Sequence, residues 1–243
     1  MLKKYKSLFI ITFVIALISL NTIDAKIKPK ETLKGKIITI DPGHGGRDSG
    51  TIYGNIYEKD VNLAISKVLK TTLEEKGATV YMIRENDSDL SSKWDAKKKR
   101  GDLYRRILKI QQNKSDLYLS IHINYHKYRS VNGAEVLYHP INKNNFILGE
   151  SIMSQFKEKL SSNRKLIKTN LYLYANTRTP GVLIECGFLS NPNERYLLQK
   201  ESYQKKLATA ITDGVEIYFQ TINLWYNDKR GMLWKRKINI YIY

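Results

Sequence analysis

The sequence predicts an α/β fold with a largely parallel sheet, and three observations support this expectation. Short apolar runs typical of strands alternate along the chain with longer segments whose apolar residues recur at helical spacing. The chain has 243 residues, a length typical of an enzyme with one domain. Hydrophobic residues make up 42% of the chain, which is enough for a packed core. This length favours a single domain, and the sequence contains no internal repeat.

The predicted elements follow the hydrophobic pattern of the chain. Strands are predicted where isoleucine, valine, leucine and tyrosine cluster in short runs, and helices where apolar residues recur three or four positions apart. Gly77 follows one of these helices, in a position where glycine commonly ends a helix. The strands are predicted at residues 36–41, 78–84, 116–124, 133–139, 171–175 and 181–185, and the helices at 58–76, 102–113, 146–160 and 202–219.

Both ends of the chain differ in composition from the domain between them. Three lysines precede an uncharged, mostly apolar stretch at residues 7–23, which is the layout of a signal peptide. Residues 1–25 are therefore predicted to be a signal peptide or a signal anchor, and we expect the protein to be exported. A polar linker covers residues 26–35, the domain covers residues 36–220, and a basic, aromatic tail at residues 221–243 is expected to be poorly ordered.

The chain is strongly basic, with a formal net charge of +18. Long-range attraction then favours a polyanionic partner, which could be nucleic acid, anionic lipid or an anionic cell wall. The sequence has no zinc-finger spacing, no aromatic ribonucleoprotein pattern and no basic heptad region. We therefore expect a cell-wall partner, no nucleic acid, and membrane contact only through the N-terminal segment. The single cysteine, Cys186, excludes an internal disulfide.

Four polar residues lie where a predicted strand ends or a predicted helix begins: His44, Glu58, His122 and Glu185. His44 directly follows the first strand, at the edge of the sheet where open α/β folds form ligand sites. Its glycine-rich segment could also be only a turn, while a phosphate-binding loop is disfavoured because no Gly-Lys-Ser or Gly-Lys-Thr follows. Glu58 opens the first helix, where it could equally close a capping box with Asn55.

Side-chain alternation along the strands assigns the other two candidates to a face. His122 shares the polar face of the third predicted strand, where it could bind a ligand or merely be solvated. Glu185 follows an apolar run, and a carboxylate there is costly to bury without a partner. If Glu185 faces a site, Cys186 faces the core, which argues against Cys186 as a nucleophile. No pattern connects His126 or His139 with these residues, and both are predicted to be surface histidines.

Together these residue types suit a hydrolytic zinc site. Two neutral imidazoles and one carboxylate can bind zinc tetrahedrally and leave the fourth position open for water. Zinc lowers the pKa of that water to about 7 and can polarise a carbonyl group. Glu185 suits a proton carrier, because burial raises the pKa of a carboxyl group toward the range in which it can accept and return a proton. The residues alone leave open which amide such a site would cut.

Four motifs occur in order along the chain. They read IDPGHGG at residues 40–46, EKDVNL at 58–63, SIHIN at 120–124 and LIECGFLSNP at 183–192. These motifs resemble those of the zinc-dependent N-acetylmuramoyl-L-alanine amidases, over roughly residues 36–220. The resemblance implies that His44, Glu58 and His122 bind one Zn²⁺ and that Glu185 is the catalytic carboxylate. It also implies a six-stranded, mostly parallel sheet with helices on both faces and an open groove for peptidoglycan.

Within the family, the chain looks most like the germination-specific amidases of the spore cortex. The likeness lies in the lysine-rich stretch before Asp102, in DLYRR at residues 102–106 and in NPNE at residues 191–194. Such enzymes remove stem peptides so that a separate muramic acid deacetylase can help to make muramic-δ-lactam, and an accessory protein could activate them. The resemblance implies a location in the cell wall or in the forespore intermembrane space.

Some features depart from the family pattern, and two rival functions stay open. Ile110-Gln111 replaces the Ala-Asn of many relatives, Cys186 replaces a more usual aliphatic residue, and the tail after Gln220 has no recognised counterpart. One rival is a wall-binding protein without turnover, which the loss of a ligand or of Glu185 would have favoured. The other is a zinc peptidase that cuts within the stem peptide, and only the family resemblance argues against it.

Overall fold

This computed structural model of the protein describes residues 31–227. The predicted signal segment at residues 1–25 and the part of the tail after Asn227 lie outside the described residues. Among residues 31–227, none of the helices is long and apolar enough to cross a membrane. The strands are β1 (Ile37–Pro42), β2 (Ile52–Tyr53), β3 (Ile56–Tyr57), β4 (Thr79–Met82), β5 (Leu117–Asn124), β6 (Glu135–Tyr138), β7 (Ile167–Lys168) and β8 (Gly181–Phe188). The helices are α1 (Glu58–Glu75), α2 (Lys98–Gln112), α3 (Lys143–Leu160), α4 (Tyr172–Ala175), α5 (Pro192–Leu198) and α6 (Glu201–Asn227).

Six of the strands form one mostly parallel sheet in the order β4-β1-β5-β8-β6-β7. Strand β1 is parallel to β4 and β5, and β5 is parallel to β8. Strand β6 runs antiparallel to β8 and parallel to β7, while β2 and β3 form a separate hairpin. The chain leaves β1 toward β4 on one side and later returns to β5 on the other. This reversal opens a crevice at the carboxyl ends of β1 and β5.

Each face of the sheet is covered by its own apolar core, which confirms the predicted α/β architecture. On one face, α1, α3 and α6 bury a large cluster that includes Ile65, Phe156 and Ile211. On the other face, α2 and α4 bury a smaller cluster around Ile107 and Leu173. The side chains of β5 alternate between the two faces as predicted, with leucine and isoleucine in the larger core. The polar side chains of this strand therefore share the face that carries the smaller core.

The prediction of a strand at residues 171–175 is wrong. Residues Tyr172–Ala175 form the short helix α4, and the edge strand lies at Ile167–Lys168 instead. The alternation of leucine and tyrosine in this segment has the period of two that is typical of a strand. A single helical turn is nevertheless enough to bury Leu173 while its neighbour Tyr172 stays 38% exposed.

The C-terminal part of the domain contains one helix, α5, that was not predicted from the sequence. The last helix, α6, is longer than predicted. Helix α5 begins after Asn191, whose side chain accepts hydrogen bonds from two backbone N–H groups of the first turn, and Pro192 occupies the first turn. Helix α6 runs to Asn227, beyond the predicted end at residue 219. The first residues of the predicted tail therefore continue this helix, and Ile222 packs against the larger core.

Candidate metal and catalytic site

The four candidate residues meet at the carboxyl edge of the sheet. His44 follows β1, His122 lies near the end of β5 and Glu185 lies in the second half of β8. These three strands are neighbours in the sheet, and His122 is the direct register partner of Glu185. Glu58 reaches the same region as the first residue of α1. The fold thus gathers four residues that are far apart in sequence.

Three of the four side chains direct ligand atoms toward a common point. His44 Nε2 lies 3.2 Å from Glu58 Oε1, and His122 Nδ1 lies 3.0 Å from the same oxygen. The ligand atoms of the three side chains all lie within 4.8 Å of one another. The two imidazole rings meet edge to face with their centroids 4.9 Å apart. Two imidazole nitrogens and one carboxylate oxygen are a donor set that zinc favours, so these residues fit the metal that the motifs imply.

Glu58 belongs to this cluster and does not cap the helix. Helix α1 begins at Glu58 itself, with Tyr57 as its N-cap and without a side-chain capping bond. The capping-box alternative with Asn55 is therefore wrong. Two backbone N–H groups fix the buried carboxylate instead: that of Thr51 donates to Oε2 at 2.8 Å, and that of Ile123 donates to Oε1 at 3.2 Å.

The charges of the cluster are set by burial and by mutual contact. Burial alone would raise the pKa of Glu58, but hydrogen bonds and charge from His122 and His44 outweigh it and hold the pKa well below its usual range. Burial would lower the pKa of His44, but contact with Asp48 and Glu58 outweighs it and raises the pKa to about 9. The protein therefore keeps Glu58 ionised, as a metal ligand must be.

Asp48 is a site residue that the sequence analysis missed. Its Oδ1 lies 3.0 Å from His44 Nδ1 and accepts a hydrogen bond from the backbone N–H of Gly50 at 3.1 Å. The contact with His44 lowers the pKa of Asp48 to about 2. Nδ1 of His44 makes no hydrogen bond of acceptable geometry among the described residues, so Asp48 acts on the ring through its charge at this distance. An acidic residue four positions after the histidine, in the same glycine-rich loop, is the signal that could have revealed it.

Two glycines allow the candidate ligands to pack against the main chain. A Cβ atom at Gly43 would lie 2.3 Å from Cε1 of His122. Gly50 has a φ of +64°, and a Cβ atom there would lie 2.6 Å from Oε2 of Glu58 and 2.7 Å from Cδ2 of His44. His44 itself has a φ of 61°, in the left-handed region that few non-glycine residues adopt. The turn is therefore shaped around the cluster, and its histidine is not incidental.

A buried ion cluster supports the turn from inside the protein. Arg106 donates to Asp41 Oδ1 at 2.6 Å and to Asp102 Oδ2 at 2.8 Å. It also donates to the main-chain carbonyls of Pro42 at 2.9 Å and His44 at 2.7 Å. Burial would raise the pKa of Asp41, but the charge of Arg106 outweighs it and lowers the pKa. Asp41, Asp102 and Arg106 lie within the motifs noted in the sequence, but no pattern there indicated that they pair with one another.

A second buried guanidinium holds the same stretch of main chain. Arg84 donates to the carbonyl oxygens of Pro42 and Gly43, both at 2.9 Å, and to that of Lys59 at 2.7 Å. With the two bonds from Arg106, every carbonyl from residue 42 to residue 44 accepts from an arginine. The loop that carries His44 is thereby fixed to two helices and the sheet.

Glu185 faces the cluster without joining it. It lines a pocket of about 450 Å³ together with His44, Glu58 and His122. Its Oε2 is shielded from solvent and has no hydrogen-bond partner among the described residues. Burial, reinforced by Glu58 and Glu135, raises the pKa of Glu185 to about 8. A carboxyl group in this range can take up and return a proton near neutral pH.

The other reactive side chains lie outside the site, as predicted. Cys186 is fully buried among the larger core, and burial raises the pKa of its thiol. His126 accepts a hydrogen bond from the backbone N–H of Tyr128 at 3.1 Å, and His139 Nε2 lies 2.9 Å from Asn170 Oδ1. Neither histidine belongs to the ligand cluster.

The α/β sheet carries at its carboxyl edge a His-Glu-His cluster that could hold a metal ion and, beside it, a protonatable carboxyl group, which is an arrangement that suits hydrolysis. The comparison with known families agrees, because the N-acetylmuramoyl-L-alanine amidase family matches residues 38–217. The chain therefore belongs to this family, which confirms the family that its motifs predict.

The most similar proteins include amidases from several bacteria. A germination-specific N-acetylmuramoyl-L-alanine amidase of Bacillus subtilis is 39% identical over 192 residues, which cover 77% of this chain and 81% of that protein. The probable cell wall amidase LytH of Staphylococcus aureus is 34% identical over 205 residues, which cover 83% of this chain and 64% of LytH. The CwlD amidase from Clostridioides difficile, solved in complex with the GerS lipoprotein, superimposes with a TM-score of 0.73 at 34% identity and covers 76% of this chain and 99% of CwlD.

Proposed function

We propose that the protein is a zinc-dependent N-acetylmuramoyl-L-alanine amidase. It hydrolyses the amide between the lactyl group of N-acetylmuramic acid and the first L-alanine of the peptidoglycan stem peptide. One observation carries the proposal: three ligand side chains and the buried carboxyl group of Glu185 face the same open pocket. Amide hydrolysis at a metal needs this combination of an incomplete ligand set and a proton carrier.

Each residue of the site has a separate role in this proposal. His44, Glu58 and His122 hold one Zn²⁺, which supplies the activation of water and the polarisation of the scissile carbonyl. Asp48 acts on the His44 ring through its charge, since its carboxylate lies 3.0 Å from the ring nitrogen Nδ1. Glu185 accepts the proton of the attacking water and returns it to the leaving nitrogen of alanine. Burial raises the pKa of Glu185 toward neutral pH, which favours the return of the proton to the leaving group.

We further propose that the protein acts on the spore cortex. This role is supported by the similarity to the germination-specific amidase of Bacillus subtilis and to CwlD. Stem-peptide removal would then prepare the glycan for a separate muramic acid deacetylase that helps to form muramic-δ-lactam. CwlD was solved with a lipoprotein, so an accessory lipoprotein is the proposed partner. The signal-peptide layout of residues 1–25 and the similarity to a cell wall amidase support export to the cell wall or the forespore intermembrane space.

Two other functions are opposed by particular observations. A zinc peptidase that cuts inside the stem peptide would use the same ligands, but family membership opposes it. A wall-binding protein without turnover would have no use for Glu185. A carboxyl group whose buried oxygen has no hydrogen-bond partner costs stability, and catalysis is the reason to retain it.

Digestion of purified peptidoglycan tests the proposed function. The zinc-loaded protein should release intact stem peptides and leave muramic acid without a peptide, as measured by mass spectrometry of the products. Removal of the metal with a chelator should stop the reaction, and added Zn²⁺ should restore it. Fragments cut within the stem peptide would favour the peptidase, and binding to the wall without any product would favour the wall-binding protein.

A further inference from the structure

We propose that the crevice between the ends of β1 and β5 receives the first alanine of the stem peptide, while the glycan lies in the wider pocket on the other side of the histidines. This inference rests on the proposed amidase function and assigns a direction to the bound substrate. It follows from the chemical contrast between two pockets that share His44 and His122.

The crevice is a cavity of about 240 Å³ that lies directly beside the ligand cluster. His44 and His122 line both this cavity and the open pocket of about 450 Å³. A group in the crevice is therefore adjacent to the atoms at which hydrolysis would occur. The crevice also lies where the chain reverses its direction across the sheet, the position at which open α/β sheets commonly bind ligands.

Leucines dominate the walls of the crevice, although Asp48, Lys99 and Tyr172 also line it. The leucines are Leu103 in α2, Leu171 just before α4, Leu173 in α4 and Leu183 in β8. The polar groups at its floor are already paired with one another, since Asp41 accepts from Arg106 at 2.6 Å and from Ser120 at 2.9 Å.

A sugar ring in this crevice would place hydroxyl groups against leucine side chains, and burying a hydroxyl without a hydrogen bond is costly. The methyl group of an alanine carries no such cost. The chemistry of the walls therefore favours the peptide side of the scissile amide over the glycan side.

The wider pocket has the opposite character. Thr51, Asn124 and Tyr125, which is 54% exposed, line this pocket and not the crevice, whereas Lys99 lines both. Hydroxyl and acetamido groups find hydrogen-bond partners on such a surface, and an exposed aromatic ring offers an apolar face to a sugar ring. Because this pocket is open to solvent along one side, it can also admit a glycan strand that continues in both directions.

In this proposal the two products of the reaction bind in different pockets. A change in one pocket should therefore weaken one product and not the other, which tests the direction of binding. One probe is the free stem peptide, and the other is a peptide-free glycan fragment that contains muramic acid. Leu171→Asn makes the crevice wall polar with little change of volume, and Tyr125→Ala removes the ring from the wide pocket. Leu197→Asn is the matched control, because Leu197 is a similarly exposed leucine at 38%, against 43% for Leu171, and lines neither pocket.

We expect Leu171→Asn to raise the inhibition constant of the stem peptide by about tenfold, the effect of a small change in an apolar pocket, and to change that of the glycan less than twofold. Tyr125→Ala should do the reverse, and Leu197→Asn should change neither. Zinc content near one per chain in all three variants excludes damage to the metal site.

The proposed direction would be contradicted if Leu171→Asn raised the inhibition constant of the glycan and left that of the stem peptide unchanged. It would also be contradicted if Leu171→Asn changed neither inhibition constant. The proposed function is tested separately, because its failure would appear as the absence of stem-peptide release by the unmodified protein. An active enzyme whose inhibition constants do not follow the expected pattern would contradict only the direction of binding.

Discussion

The α3–α6 layer and the carboxyl edge of the sheet are stabilised by different forces. In the layer, Ile152, Phe156 and Ile211 are fully buried, and Gly214 packs so closely that a Cβ atom there would lie 2.6 Å from the Cα atom of Ile152. At the edge, buried charges and arginine bonds to main-chain carbonyls hold the loop of His44. The contrast indicates that the layer stabilises the fold, whereas the edge fixes the position of the ligands.

A large loss of stability without loss of the metal is expected in the layer. Phe156→Ala should lower the free energy of unfolding by about 3–5 kcal/mol, because it leaves a cavity in a packed core. At a low temperature, where the variant is still folded, it should bind one Zn²⁺ per chain, since Phe156 lies in the larger core and lines neither pocket of the site. Denaturant titration and metal analysis measure the two quantities, and a folded variant without zinc would contradict the separation between the regions.

A change of the buried Arg106 at the edge of the sheet should lower both the free energy of unfolding and the affinity for zinc. Arg106→Gln leaves Asp41 and Asp102 buried without their cation, which costs about 3–5 kcal/mol. It also frees the carbonyls of Pro42 and His44, so zinc affinity should fall as well. Arg106→Lys restores the charge but not the fork of hydrogen bonds, and should recover stability more than affinity. Equal recovery of both would show that the fork does not position the loop.

The carboxylate behind His44 should affect the metal alone. Asp48→Asn removes a charge at the surface of the site, so the free energy of unfolding should change little. Zinc affinity should fall by about 10–100-fold, the usual effect of losing a partner behind a ligating histidine. Competition with a chelator of known affinity measures this loss, with Asp213→Asn on α6 as the matched control. An unchanged affinity for zinc would show that Asp48 stabilises only the turn and not the metal site.

The contrast between the regions also explains what could be predicted from the sequence. Strand alternation assigned His122 to the polar face of its strand and Glu185 to the face opposite Cys186, because side chains of a strand alternate between its two faces. The helix pattern suggested a cap for Glu58, since no local signal reports that the chain brings two histidines to it. The pairing of Arg106 and the role of Asp48 were missed for the same reason, as their partners come from other elements or from the fold of a loop. Leucine and tyrosine alternation misassigned α4 because one turn has too few residues to show its period.

The smallest effect is expected at the end of α6. A chain that ends at Gln220 should keep its zinc and most of its activity, and lose about 1 kcal/mol of stability because Ile222 no longer packs against the core. A chain that ends at Asn227 retains Ile222 and is the control. Loss of folding in the shorter chain would show that the segment after Gln220 belongs to the core of the domain.

The division of roles between Glu185 and the ligands is the central claim, and two variants test it directly. Glu185→Gln keeps the shape of the side chain but cannot carry a proton, so amidase activity should fall by on the order of 10²-fold or more while zinc stays near one per chain. His122→Ala should lose the metal together with the activity. Glu201→Gln, an exposed carboxylate on α6, should change neither. Zinc analysis and turnover on peptidoglycan decide the matter: a Glu185→Gln protein that purifies without zinc, beside a His122→Ala protein that keeps both zinc and turnover, would contradict the claim.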